Sequence, residues 1–133
     1  MSDLRIHLDH HSGIPIYRQI ISQILYAIAR GDVAPGTQLP TVRQLAVDLS
    51  VNPNTIIKAY KELEIRGNLE TQQGTGTFIS DVEVEISARE KKQALESLCR
   101  DLVVRAAAQG LDLDEVIEAL RALKEENRDG TTD

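Results

Sequence analysis

The strongest constraint on this fold is a pair of helix signals with almost nothing between them. Thr41 precedes an apolar-periodic stretch and Gln44 follows it by three residues, the spacing of a reciprocal capping box. The predicted helix covers about residues 42–49 and buries Leu45, Ala46 and Leu49. Ser50 and Val51 make a tight turn, and start signals recur at once. Asn52 suits an N-cap, Pro53 the first helical position, and Val51 with Ile56 a hydrophobic staple. Ile56, Ala59, Tyr60 and Leu63 share one face of this second helix; Asn54, Lys58 and Lys61 share the opposite one, and Gly67 ends it. Residues 69–79 then read as a hairpin, with Thr71, Thr77, Phe78 and Ile79 favouring strands and Gly74 and Gly76 at the tip. Two short helices across a tight turn followed by a glycine-tipped hairpin predict a winged helix-turn-helix.

The flanking segments complete the reading. Residues 15–30 form a helix with Pro15 at its first position. Its apolar stripe is Ile20, Ile24 and Ile28, widened by Tyr17, Ile21 and Leu25, and Gly31 stops it. A connector over 31–40 is anchored by Val33 and Leu39. From about residue 86 the chain is helical, with Leu95, Leu98, Leu102 and Ala106 in a stripe and Gly110 as a stop. Asp112 caps a last helix, with Glu115 at the reciprocal position and Leu111 opposite Val116. Leu113, Val116, Ile117, Leu120 and Leu123 make its apolar face, and fraying is expected from about residue 127. The fold class is therefore mainly α: a winged helix-turn-helix of three helices and a two-stranded wing over 1–80, a two-helix domain over 81–129, and a flexible tail over 130–133.

Composition excludes several alternatives. At 41% apolar and 27% charged residues, the chain reads as globular. The only aromatics are Tyr17, Tyr26, Tyr60 and Phe78, so the core is aliphatic. A single cysteine, Cys99, forms no internal disulfide and sits on an apolar stripe, where a buried thiol in a reducing, cytoplasmic compartment is the expectation. No signal peptide or membrane span is expected: the most apolar stretch, Ile20 to Ala29, is interrupted by Ser22 and Gln23. The net charge of −6 is unevenly placed. Residues 1–80 hold seven basic and seven acidic residues, whereas residues 81–133 hold eight and fourteen. A neutral first half permits DNA binding through a local patch without demanding it.

No catalytic constellation is visible, so no enzyme and no cofactor are expected. His7, His10 and His11 fall in a lead-in expected to be loose, and with no later histidine no metal site is expected. Gly74-Thr75-Gly76 lacks the Lys-Ser/Thr that completes a phosphate loop.

The run from Pro15 to Ser80 resembles the DNA-binding domain of the GntR family of bacterial regulators. The matching pieces include Pro15-Ile16-Tyr17-Arg18-Gln19-Ile20, Leu39-Pro40-Thr41-Val42-Arg43-Gln44-Leu45-Ala46, Val51-Asn52-Pro53-Asn54-Thr55, Lys58-Ala59-Tyr60 and Gly74-Thr75-Gly76-Thr77-Phe78-Ile79. Each is weak alone; their order and spacing are specific. The Asn-Pro-Asn-Thr opening and short C-terminal part resemble the YtrA-type subfamily. That likeness implies a repressor, often of transporter genes, with a small two-helix dimerisation domain and no large effector-binding domain.

The residues support a matching mechanism. The helix starting at Asn52 would enter the major groove N-terminus first, with Asn54 and Thr55 near base edges or phosphates and Lys58 reaching the backbone. The resemblance adds Arg43 as a DNA-reaching arginine and Thr41 near phosphate. Many family members carry arginine early in the recognition helix; here that position is Pro53, so other branches' specificity does not carry over. The wing tip, Gln73, Gly74, Thr75 and Gly76, would follow the minor groove. Thr41 and Asn52 have a plainer reading as caps alone, and Arg43 as a solvated surface residue.

Two amphipathic helices cannot easily build their own core at ~50 residues. Leu95, Leu98, Leu102, Val116, Leu120 and Leu123 are therefore expected to pair with a second copy. The expected partners are an inverted-repeat, double-stranded DNA operator and a second copy, with no membrane. A small-molecule effector would have to use the C-terminal groove or the seam between domains. The alternative is a winged-helix protein-interaction module, disfavoured by the polar face of Asn54, Thr55 and Lys58.

Overall fold

The computed structural model describes residues 4–81 and 86–130. In chain order the elements are α1 (Ile16–Arg30), α2 (Val42–Leu49), α3 (Pro53–Ile65), β1 (Leu69–Gln72), β2 (Gly76–Ile79), α4 (Ala88–Ala108) and α5 (Leu113–Gly130). They fall into two compact units, Met1–Val84 and Glu85–Asp133.

In the first unit, α1 and α2 each pack on α3, and α3 also meets β1. The core is aliphatic, as the scarcity of aromatics requires: Ile20 and Ile24 of α1, Ile56 and Leu63 of α3, and Val33 of the connector are fully buried. Each helix stops where its backbone can leave the helical region. Gly31 caps α1 at φ 80°, and Ser50 caps α2 at φ 55°, in the left-handed region that L residues seldom adopt. That excursion at Ser50 is what turns the chain within two residues into α3.

Pro15 corrects one expectation. It is the N-cap of α1 rather than its first helical residue, with φ −53° and ψ 141°. The ring fixes φ but leaves ψ free, so the residue stays extended while its carbonyl accepts from Arg18 and Gln19.

The lead-in is also not loose. Leu4, Ile6 and Leu8 pack against the core. The buried amide of Gln19 accepts from the Asp9 N–H at 2.8 Å and donates to the carbonyls of Asp9 and Ile14. Gln23 accepts from the His7 N–H and donates back to its carbonyl.

The wing is an antiparallel pair with Leu69 opposite Ile79 and Gln72 opposite Gly76. The connector runs along the other edge of β2, with Gln38 bridging to Phe78.

In the second unit, Ser87 caps α4 by accepting from the Glu90 N–H at 3.1 Å. Half of the expected exchange at Asp112 forms: its N–H donates to the Glu115 carboxylate at 3.1 Å, while its own carboxylate accepts from the Asp114 N–H at 3.3 Å rather than from Glu115. The last helix reaches Gly130, beyond the fraying expected from residue 127 and into the first residue of the expected tail; residues 131–133 lie outside the described residues. Within this unit Ala106 is the one buried apolar residue among those described. Cys99, expected to be buried, is exposed. Among the described residues no helix is long and apolar enough to cross a membrane.

Candidate nucleic-acid interface

Both short helices start from caps, and the caps still have capacity to spare. Thr41 Oγ1 accepts from the Gln44 N–H at 3.1 Å while the Gln44 side chain accepts from the Thr41 N–H at 3.0 Å. The Thr41 hydroxyl hydrogen is not used by the cap and can donate outward. Asn52 Oδ1 accepts from the Asn54 N–H at 2.8 Å, which leaves the Asn52 NH₂ as a donor. Capping and contact with a ligand are therefore compatible at both residues.

Two cations on these helices are exposed. Arg43 is exposed and joins no ion pair among the described residues. It borders a groove of about 1160 Å³ with Thr37, Gln38, Thr41 and Gln44, and one acid, Asp48, also lines it. Lys58 is exposed, and its Nζ lies 3.9 Å from the centroid of the Tyr17 ring. Asn54, Thr55 and Lys58 line a smaller cleft of about 310 Å³ together with Ile16 and Tyr17. Tyr17 thus does more than widen the stripe of α1: part of its ring serves the exposed face of α3.

Tyr60 ties these parts to the core. Its hydroxyl donates to the Pro40 carbonyl at 2.8 Å, linking α3 to the residue just before the α2 cap. Burial pushes its phenol well above the ordinary tyrosine range, because the phenolate would lose its water.

Gln73, Gly74 and Thr75 form an exposed tip and Gly76 is half-buried. Gly74 takes φ 78° and Gly76 φ 142°, conformations that favour glycine. The Gln38 side chain donates to the Thr75 carbonyl at 3.0 Å. The structure thus groups Thr41 with Arg43, and Asn54 with Thr55 and Lys58. Asn52 and Gln73 line neither groove. Tyr17 and Gln38 were missed because their partners lie far along the chain.

The expected dimerisation residues lie in the second unit. Leu95, Leu98, Leu102, Leu120 and Leu123 are exposed in the single chain and Val116 is half-buried. Leu102, Val116 and Leu120 line an apolar cleft of about 430 Å³ between α4 and α5.

The bacterial regulatory proteins of the GntR family match residues 16–79. The HTH-type transcriptional repressor YtrA of Bacillus subtilis (strain 168) is 36% identical over 125 residues, spanning 94% of this chain and 96% of its own. This chain belongs to the GntR family of bacterial regulatory proteins. The family is one of transcription regulators, not enzymes. The YtrA match extends across both units, in keeping with the YtrA-type resemblance. A transcriptional antiterminator from Listeria monocytogenes EGD-e has the same fold, with a TM-score of 0.73 and 26% identity over 92% of each chain. The DNA-binding domain of AraR, in complex with operator ORX1, gives a TM-score of 0.52 at 30% identity, covering 58% of this chain and 96% of that one.

Proposed function

We propose that this GntR-family regulator is a cytoplasmic, sequence-specific repressor that binds an inverted-repeat DNA operator as a homodimer. The observation that carries the reading is that each groove holds an exposed cation outside any ion pair among the described residues, Arg43 beside the Thr41 cap of α2 and Lys58 beside Asn54 and Thr55 of α3. Asn54 and Thr55 stand at the docking end of that helix and reach base edges, while Arg43, Lys58 and the spare donors of Thr41 and Asn52 take phosphates. The wing tip, Gln73 to Gly76, follows the minor groove. The operator complex of AraR supports this use of the fold.

Dimerisation follows from the second unit. Among their described residues the two helices bury a single apolar residue between them, which gives them no core of their own, and a second copy supplies the missing surface. A twofold-symmetric protein presenting two recognition helices reads a palindrome. Transporter genes are the proposed targets, as the YtrA-type resemblance implies.

Selection of duplexes from a randomised pool tests the reading. The expected product is an inverted repeat, footprinted on both half-sites by a species of twice the chain mass. Recovery of unrelated sequences would refute sequence-specific recognition. Recovery of a single half-site bound by a monomer would refute the dimeric reading.

A further inference from the structure

The wing tip is held by a residue that is not part of the wing. The connector between α1 and α2 lies antiparallel to β2: Gly36 N–H donates to the Ile79 carbonyl at 2.8 Å, Ile79 N–H to Thr37 at 2.9 Å, and Leu39 N–H to Thr77 at 2.8 Å. This register places Gln38 opposite Phe78. From there the exposed Gln38 side chain runs towards the tip, where Nε2 donates to the Thr75 carbonyl at 3.0 Å. The next residue, Gly76, is packed against the same amide. A Cβ at position 76 would lie 2.4 Å from Gln38 Nε2 and 3.3 Å from Cδ. Glycine at 76 therefore supplies both the φ of 142° and the space that lets the amide reach the carbonyl.

We propose that Gln38 is a positioning residue that fixes the wing tip for DNA. The proposal rests on the reading that residues 73–76 touch the minor groove. Two strands of four residues hold a tip weakly by themselves. A tip that moves in the free protein must be ordered on binding, at an entropic cost to affinity. The Gln38 bond removes part of that cost beforehand. It also sets the tip against the connector that delivers Thr41 and Arg43 a few residues later, so wing and helix start meet the duplex in one fixed spacing.

The test compares the full-length protein with its Gln38→Ala and Gln38→Glu variants. The glutamate side chain has nearly the length of glutamine but cannot donate to the carbonyl when ionised. Backbone ¹⁵N relaxation of the free proteins should show Thr75 and Gly76 becoming more mobile in both variants. The melting temperature should hold, because the side chain is exposed. Affinity of Gln38→Ala for the selected operator should fall about three- to tenfold, the effect of one net hydrogen bond. Unchanged tip relaxation in both variants would overturn the proposal. A looser tip with unchanged affinity would also overturn it, since positioning would then have no bearing on binding. A wild-type protein that binds no DNA would instead be a failure of the proposed function, while the relaxation data would still show whether Gln38 braces the tip.

Discussion

At Lys58 the Tyr17 ring does what a carboxylate could not: it holds an ammonium in place without neutralising it. The 3.9 Å approach is a cation–π contact, worth about 0.5–1 kcal/mol at an exposed site. Held this way, the charge stays available to a phosphate. Tyr17→Leu should weaken operator binding about two- to fivefold, and Tyr17→Phe, which keeps the ring, should retain most of it; fluorescence anisotropy at fixed salt reads both. Tyr60 acts at the same scale on stability. Removing its hydroxyl leaves the Pro40 carbonyl without that donor, so Tyr60→Phe should cost about 1–2 kcal/mol in urea denaturation. Its raised pKa adds a pH signature. Below about pH 10 the phenol is neutral in both folded and unfolded chains. Above that, the unfolded chain loses the proton first, so stability falls as pH rises. The Phe variant should lose this alkaline component of the decline. Neither role is legible in sequence. Tyr17 fits an apolar stripe and Tyr60 a core face, and only the packing of α1 on α3 and of α3 against the connector shows what their polar or aromatic parts meet.

At the scale of elements, local signals were enough to find almost everything. The box at Thr41, the caps at Asn52 and Asp112 and the hairpin glycines each involve residues within a few positions of one another, so spacing alone exposes them. The lead-in was missed for the opposite reason: Gln19 and Gln23 reach back ten and sixteen residues to bind its backbone, and nothing local marks them. Thr41 gives the element-scale prediction. Thr41→Ala should lower stability by about 1 kcal/mol through loss of the cap, and should also weaken DNA binding. Thr41→Ser keeps cap and hydroxyl and should restore both, as read by thermal melts and anisotropy.

For the whole molecule, the composition of the two units divides the work. Residues 1–80 balance their charges and leave Arg43 and Lys58 exposed, whereas the acidity lies beyond them. That acidity would keep the second unit off DNA. The exposed large apolar residues on α4 and α5, among them Leu95, Leu98, Leu120 and Leu123, form the surface a second copy would cover. Burying a carboxylate there would be costly, so Leu98→Glu with Leu120→Glu should give a monomer by analytical ultracentrifugation. The monomer should keep a folded first unit and lose at least tenfold in operator affinity, because one half-site then acts alone. The sequence made the amphipathic stripes legible; the exposure of Cys99 beside them was not, since helical periodicity marks a face without saying whether the chain itself covers it.

The most direct test of the central claim is a salt titration of binding to the selected inverted repeat and to random duplex, for the wild type and for Arg43→Ala with Lys58→Ala. The wild type should prefer the repeat by about 10³ or more. The double variant should lose that affinity, remain a dimer, and show a log–log salt slope shallower by about two, one for each lost phosphate contact. Equal affinity for both duplexes, or a double variant with undiminished affinity and slope, would contradict it.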